Sequence, residues 1–458
     1  MMKKTMILAG FICLFLLSCE KFLDKKPDVT IKHPISLDDL NAILNSEQNF
    51  NEVSFAHIES GTDDLRILPS HFQRLSNYYK DIYRWASGED GIREEMVFSW
   101  QRPYRQILNC NVVLERLRTI IGGDEHLRRR IEGDALFLRS FTFFMLLQSY
   151  SPPYLIGDKD SELGIHLRLS SDVNQITNRS SLIESYNQVL GDLKKAIDLL
   201  PEQVSFKTRP NKAAAYALMA RIKLTIGDYS AALKYAEECL KRQNQLIDYN
   251  LINLHLNFPF FALNEEVIYH AVGAFPSQIL NPRQVYVSHE LYSLYQDNDL
   301  RKLAFFNSKG INGFSFKGYY SGNGDSFFAG LVIDEVHLIA SESLIRTQKI
   351  NQGIDILNKL RKHRFKKESF TLLRAENELE ALKLVLLERR KELPFRGVRW
   401  LDLRRLNRDK RFEKTLVRII PDNSDNLMEV MLPPNDLRYT YLIPDYVIEE
   451  TGIKQNPR

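Results

Sequence analysis

The sequence predicts a mainly α protein: a scaffold of paired helices interrupted by an irregular, loop-rich lobe. Three observations predict it. Apolar residues recur at helical spacing over much of the first 250 residues and again after residue 330. Two helix–turn–helix units, at 212–242 and about 334–365, carry small residues where paired helices must approach. Between 251 and 330 helical periodicity gives way to aromatics mixed with glycine and proline.

At 458 residues the chain can hold a large core in two or three lobes. With 26% charged and 44% hydrophobic residues it is globular, not disordered. The net charge is +4, and removing Lys3 and Lys4 with a leader leaves +2. So small an excess indicates neither nucleic acid nor an anionic surface.

The N-terminus has the pattern of a leader. Lys3 and Lys4 precede an apolar run, Ile7 to Leu17, that is too short to span a bilayer. Leu16-Leu17-Ser18-Cys19 then has the form of a bacterial lipobox. Residues 1–18 are therefore read as a lipoprotein signal peptide, Cys19 as the lipidated residue and 19–35 as a tether. Several acyl chains anchor stably where one does not. The alternative is an ordinary secretory signal with an incidental cysteine. Cys13 lies in the leader, so Cys110 and Cys239 remain, scattered in helical patterns. They suit buried apolar positions better than a disulfide framework. No CxxC or HExxH spacing occurs, so no metal or cofactor is predicted.

The elements follow in order. Ser36 caps a short helix over Leu37–Leu44. Residues 50–75 are irregular, Tyr78, Tyr79, Tyr83 and Trp85 crowd together, and Gly88 to Gly91 break the chain. Trp100 to Leu117 is amphipathic. Leu127 to Tyr150 is a long helix, apolar nearly all round from Ala135 to Leu147 and so central and buried. Ser180 or Ser181 caps a helix from Leu182 to Leu200, ended by Pro201. Lys212–Ile226 and Tyr229–Arg242 flank the turn Gly227-Asp228 as a tetratricopeptide-like unit. The second pair, Asp334 to Phe365, lacks the turn glycine and lies about 120 residues further on. The regions are 36–250 (N-terminal, helical), 251–330 (aromatic lobe) and 331–458 (C-terminal, helical, with an extended end).

The stretch Leu387 to Leu406 reads as helix, tight turn, helix. Pro394 ends the first helix, Gly397 frees the turn, and Trp400 packs at the corner. Its dense charges invite a catalytic carboxylate site. Charge runs on helices ordinarily face water, however, so a salt-bridged hairpin bracing the scaffold is expected, with pairs three or four residues apart.

Motifs in order along nearly the whole chain resemble the RagB/SusD family of outer-membrane nutrient-uptake lipoproteins. They are Cys19 with Phe22-Leu23-Asp24 and Lys26-Pro27; Trp100, Tyr104, Ile107 and Asn111; Ala135-Leu136-Phe137-Leu138-Arg139; Asp192-Leu193, Ala196 and Leu199-Leu200-Pro201; the 387–406 hairpin; and Leu442-Ile443-Pro444 with Gln455-Asn456-Pro457. Arg396, Leu136 and Leu442 depart from the family pattern. The resemblance implies a SusD-like fold with tetratricopeptide units and no catalysis. It also implies a surface lipoprotein of the outer membrane that binds oligosaccharide, or sometimes peptide, as the lid of a SusC-like TonB-dependent transporter.

A sugar binder needs flat aromatic platforms beside hydrogen-bonding groups, in a shallow cleft on loops. By the resemblance, Asp64, Arg66, Tyr83 and Trp85 are the first candidates, Trp85 foremost. Tyr319 and Tyr320, in the aromatic loops 314–328, are the second. Most large aromatics are nevertheless core, and Trp100 and Trp400 are assigned to packing. A surface glycoside hydrolase is the enzymatic alternative, since an acid/base pair can hide among 58 acids.

Overall fold

The computed structural model describes residues 36–54, 56–86, 97–175, 178–273, 279–281, 284–422 and 426–458. The leader, Cys19, the tether and the Gly88–Gly91 break lie outside them.

Helix α1 (Leu37–Leu44) starts at the predicted cap. The Ser36 hydroxyl accepts from the Asp39 amide, and the Asp39 carboxylate accepts from the Ser36 amide. Helix α2 (Val97–Leu117) begins one turn earlier than predicted. Helix α3 (Glu125–Tyr150) is the buried centre: every described residue from Gly133 to Tyr150 except Met145 is buried. Its Arg139 pays for burial by donating to both Asp192 oxygens, at 2.7 and 2.9 Å, and to Asn111 Oδ1 at 2.8 Å. Helix α4 (Leu182–Leu199) is capped by Ser181 with a reciprocal Glu184 bond.

Helices α5 (Lys212–Thr225) and α6 (Tyr229–Arg242) form the predicted pair, with Gly227 at φ 77°. Helices α7 (Ile333–Arg346) and α8 (Ile350–Lys362) form the second pair. The turn there uses Gln348, at φ 65°, where the first pair has glycine. The two pairs are distant in sequence but stack directly, α6 on α7. Buried Arg221 of α5 crosses to Glu335 of α7, with Nε–Oε1 at 2.9 Å. The scaffold is thus a continuous run, each helix from α2 to α8 packed on the next.

Helices α9 (Glu378–Glu392) and α10 (Arg399–Leu406) make the predicted hairpin, turned by Phe395 at φ 58° and Gly397 at φ 72°. Trp400 is fully buried between Tyr439 and Tyr441, at 4.9 and 5.6 Å. The expectation that its charges face water is wrong. Glu388, Arg389, Lys391, Glu392, Arg396, Asp402, Arg404 and Arg405 are all buried. Most of their partners are on other elements rather than along one helix. Glu392 bridges Arg301 and Arg364 at 2.8 and 2.7 Å. Arg389 meets Asp402 at 2.8 Å, Arg405 meets Glu342 at 2.6 Å, and Arg396 meets Asp334 at 2.7 Å. Buried charges persist only when paired in this way. The stretch does act as a brace, but from inside the molecule.

The described residues of 251–330 form short strands, loops and two short helices, His289–Ser293 and Arg301–Phe305. Leu65–Ile67 pairs antiparallel with Val285–Val287, Glu52–Val53 parallel with Val272–Gly273, and Phe306–Ser308 antiparallel with Phe314–Phe316. The end of the chain is more ordered than expected. Leu416–Pro421 and Leu427–Leu432 form an antiparallel hairpin, and α11 spans Asp445–Thr451.

Candidate ligand-binding site

The first predicted platform is internal. Helix Asn77–Arg84 ends on Trp85, which turns left-handed at φ 52°. Trp85 is 4% exposed, and its Nε1 donates to the Gly61 carbonyl at 2.9 Å. Tyr83 is buried too, its hydroxyl accepting from the Ile67 amide at 3.1 Å. The Arg418 guanidinium lies 3.9 Å from the Tyr83 ring centre and 4.4 Å from that of Trp85. It also donates to the carbonyls of Ser60 (2.9 Å), Thr62 and Tyr83. Both rings therefore clamp a cation from the C-terminal hairpin. A ring so buried offers no face to a sugar, which corrects the assignment of Tyr83 and Trp85.

Asp64 is 1% exposed and held by Arg390 Nε at 3.0 Å. Its neighbour Asp63 pairs with Arg399 at 2.8 and 2.9 Å and with Lys414 at 2.7 Å. Burial pushes both carboxyls up. For Asp63, Arg399, Arg390 and Lys414 outweigh burial and hold it well below the usual range; for Asp64 burial wins and its pKa is raised. Fully buried Glu59 accepts from the Gly397 amide at 2.9 Å. Burial, reinforced by Asp64, pushes it up to about 8. Glu59 and Asp64 are sealed structural groups, and half-buried Asp63 is tied into the same ion pairs. Only Arg66 of the first set stays half-exposed; it donates to the Asn312 carbonyl and lies 5.6 Å over the Tyr286 ring.

Tyr319 and Tyr320 are also buried. The Tyr320 hydroxyl donates to Glu266 and lies 3.0 Å from that of Tyr249, with Arg396 4.0 Å over the ring. Tyr319 packs on Phe316 and Phe327 at 5.2 and 5.4 Å. Neither is available as a platform.

Within the lobe, the most exposed aromatics among the described residues lie one layer out. In Phe258-Pro259-Phe260-Phe261, Phe260 is 2% exposed while Phe258 is 45% and Phe261 82% exposed. The loop is held in place. Lys317 Nζ donates to the Leu254 and Leu256 carbonyls at 2.8 and 3.0 Å, and Asn264 Nδ2 donates to the Phe261 carbonyl at 3.1 Å. A second loop, 318–326, lies against it through Gly322 and Gly324. A Cβ at Gly322 would sit 2.6 Å from the Ala262 nitrogen, and one at Gly324 would sit 2.7 Å from the Phe258 ring. Ser321 Oγ donates to the Ser326 carbonyl at 2.7 Å, and the Asn323 side chain accepts from the Asp325 amide at 3.0 Å. Asn323 and Asp325 stay exposed on this loop. The result is an aromatic rim of two phenyl rings, with an amide and a carboxylate on the adjoining loop. Such a rim can stack on a sugar's C–H face while engaging its hydroxyls. Phe258 and Phe261 belong to the predicted aromatic lobe but were not selected. No signal in the neighbouring residues separates them from the inward Phe260.

Among the described residues no group of His, Cys, Asp and Glu could hold a metal ion, and no helix is long and apolar enough to cross a membrane.

A SusD-like family model, described as starch-binding and associating with the outer membrane, matches residues 21–224. A "SusD-like protein P2" of Formosa agariphila is 26% identical over 166 residues, covering 36% of this chain and 30% of that protein. A SusD superfamily protein of Bacteroides thetaiotaomicron shares the fold with a TM-score of 0.74 at 21% identity, covering 93% of this chain and 100% of its own. A SusD-like carbohydrate binding protein of Bacteroides vulgatus does so with a TM-score of 0.68 at 19% identity, covering 91% and 97%.

Proposed function

We propose that the chain, which matches a SusD-like family model in residues 21–224 and shares its fold over 93% of its length with a SusD superfamily protein, is a glycan-binding lipoprotein of the cell surface. It captures oligosaccharide and passes it, uncut, to a SusC-like TonB-dependent transporter in the outer membrane. The observation that carries this is the aromatic rim: Phe258 and Phe261, 45% and 82% exposed on one loop pinned by Lys317 and Asn264, present apolar surface together, as ligand and partner sites do. The family description and the carbohydrate-binding relative support the ligand class. Ser18-Cys19 supports the lipid anchor. The acids that invited a catalytic reading, Glu388, Glu392 and Asp402, are buried in ion pairs, which favours binding over hydrolysis.

A glycan array probed with the purified protein, followed by a hydrolysis assay on each hit, tests this. Retention of one glycan class without product is expected. Released product overturns the binding-only reading, and silence on every glycan moves the ligand to peptide.

A further inference from the structure

A cleft of about 360 Å³ opens on the helical scaffold and shares no residue with the aromatic rim. That volume lies at the small end of ligand pockets. Half-buried Tyr104, near the start of α2, lies at its floor, backed by the buried Trp100 ring 4.8 Å away, and His166 stands 6.0 Å from Tyr104. Trp100 is wedged edge-on against Tyr150 at 5.0 Å.

Both walls are anchored from inside. One is the segment 166–173. Asn111 Nδ2 donates to the Arg168 and Ser170 carbonyls at 3.0 and 3.1 Å, while its Oδ1 accepts from Arg139. The other wall is α11, which contributes Tyr446, Val447 and Glu450. The tail after it is tied down by Asn456 Nδ2, which donates to the Tyr150 and Tyr441 carbonyls at 2.9 and 2.7 Å. Arg179 adds a bond to the Lys454 carbonyl at 2.9 Å. A ligand would therefore meet a cleft already in shape, which lowers the ordering cost of binding.

The mouth carries Gln101, Arg105 and Glu450, all exposed. An amide, a guanidinium and a carboxylate supply both donors and acceptors above an aromatic floor. That combination suits a pyranose ring, with one apolar face and a rim of hydroxyls, better than a purely apolar or purely ionic ligand. We propose that the cleft between α2 and α11 is a second carbohydrate site, holding one or two sugar rings. Tyr104 and Tyr446 face the C–H surface, and Gln101, Arg105 and Glu450 engage the hydroxyls. It is independent of the rim.

The test uses the full chain with Phe258→Ala and Phe261→Ala, which removes the rim. Glucose, galactose, mannose, N-acetylglucosamine, glucuronate, maltose and cellobiose are each examined by saturation-transfer NMR. Transfer to the ring protons of at least one sugar is expected. Adding Arg105→Ala and Glu450→Ala, both at exposed positions, is expected to weaken its affinity about 10-fold or more with the melting temperature unchanged. No transfer from any of the seven sugars overturns the proposal. So does transfer that survives loss of Arg105 and Glu450. Failure at the rim alone leaves these signals intact, so the two sites are judged separately.

Discussion

Replacing Glu392 with Gln keeps the side chain's volume and one acceptor but removes a charge from the interior. The residue is fully buried, with one oxygen 2.8 Å from Arg301 and the other 2.7 Å from Arg364. Burial pushes its carboxyl up, but Arg364 and Arg301 outweigh that and keep it ionised. Arg301 still holds Asp299 and Glu388, and Arg364 still holds Glu266, at 2.7–2.8 Å. The variant nevertheless leaves a positive charge uncompensated in a dry site. Breaking a buried pair in this way costs about 3–5 kcal/mol. Urea unfolding followed by circular dichroism is expected to show a lower midpoint with the slope unchanged. Arg364→Met should cost a similar amount. In the double variant Glu392→Gln/Arg364→Met the opposite charges leave together, so its loss should fall short of the sum by about 1.5 kcal/mol or more. A Glu392→Gln cost below about 1 kcal/mol, or strict additivity in the cycle, would refute the claim that this buried cluster braces the fold.

Three further outcomes are expected. Glu59, held near 8 by burial and Asp64, contributes stability that is complete below its ordinary value of 4.5 and is lost as pH rises through 8. Glu59→Gln should therefore gain on the wild type between pH 5 and 9, by up to about 3 kcal/mol at pH 7; parallel pH–stability curves would contradict this. Trp85→Ala should lower stability by about 3–5 kcal/mol, because it empties one side of the Arg418 clamp, and an unchanged melting temperature would show the ring to be free. Cys19→Ala should abolish labelled palmitate incorporation and release the protein from the outer membrane; normal labelling would refute the lipid anchor.

Elements set by neighbouring residues were legible. The Ser36 and Ser181 caps, the Gly227 turn and the apolar girth of α3 each depend on groups within one or two turns, and the structure has them as read. Features set by distant partners were not. Arg389 looks like a surface charge until Glu335 and Asp402 are brought to it. Trp85 looks like a platform until Arg418, 333 positions away, covers its face. The aromatic lobe was legible as a whole. Which rings reach water was not, because Phe258, Phe260 and Phe261 differ only in the side of the loop they occupy. The hairpin of Leu416–Pro421 and Leu427–Leu432 was missed, since its outward residues Val417, Ile419 and Met431 are apolar and hide the period-2 pattern.

Calorimetric titration of the glycan selected on the array, with the oligosaccharide recovered and sized afterwards, tests the central claim most directly. Each stacked ring is worth about 0.5–1.5 kcal/mol. Phe258→Ala/Phe261→Ala should therefore weaken binding by roughly 10-fold, with the ligand returned intact and the melting temperature little changed. Undiminished affinity in the double variant, or a shortened oligosaccharide, would contradict capture on the aromatic rim.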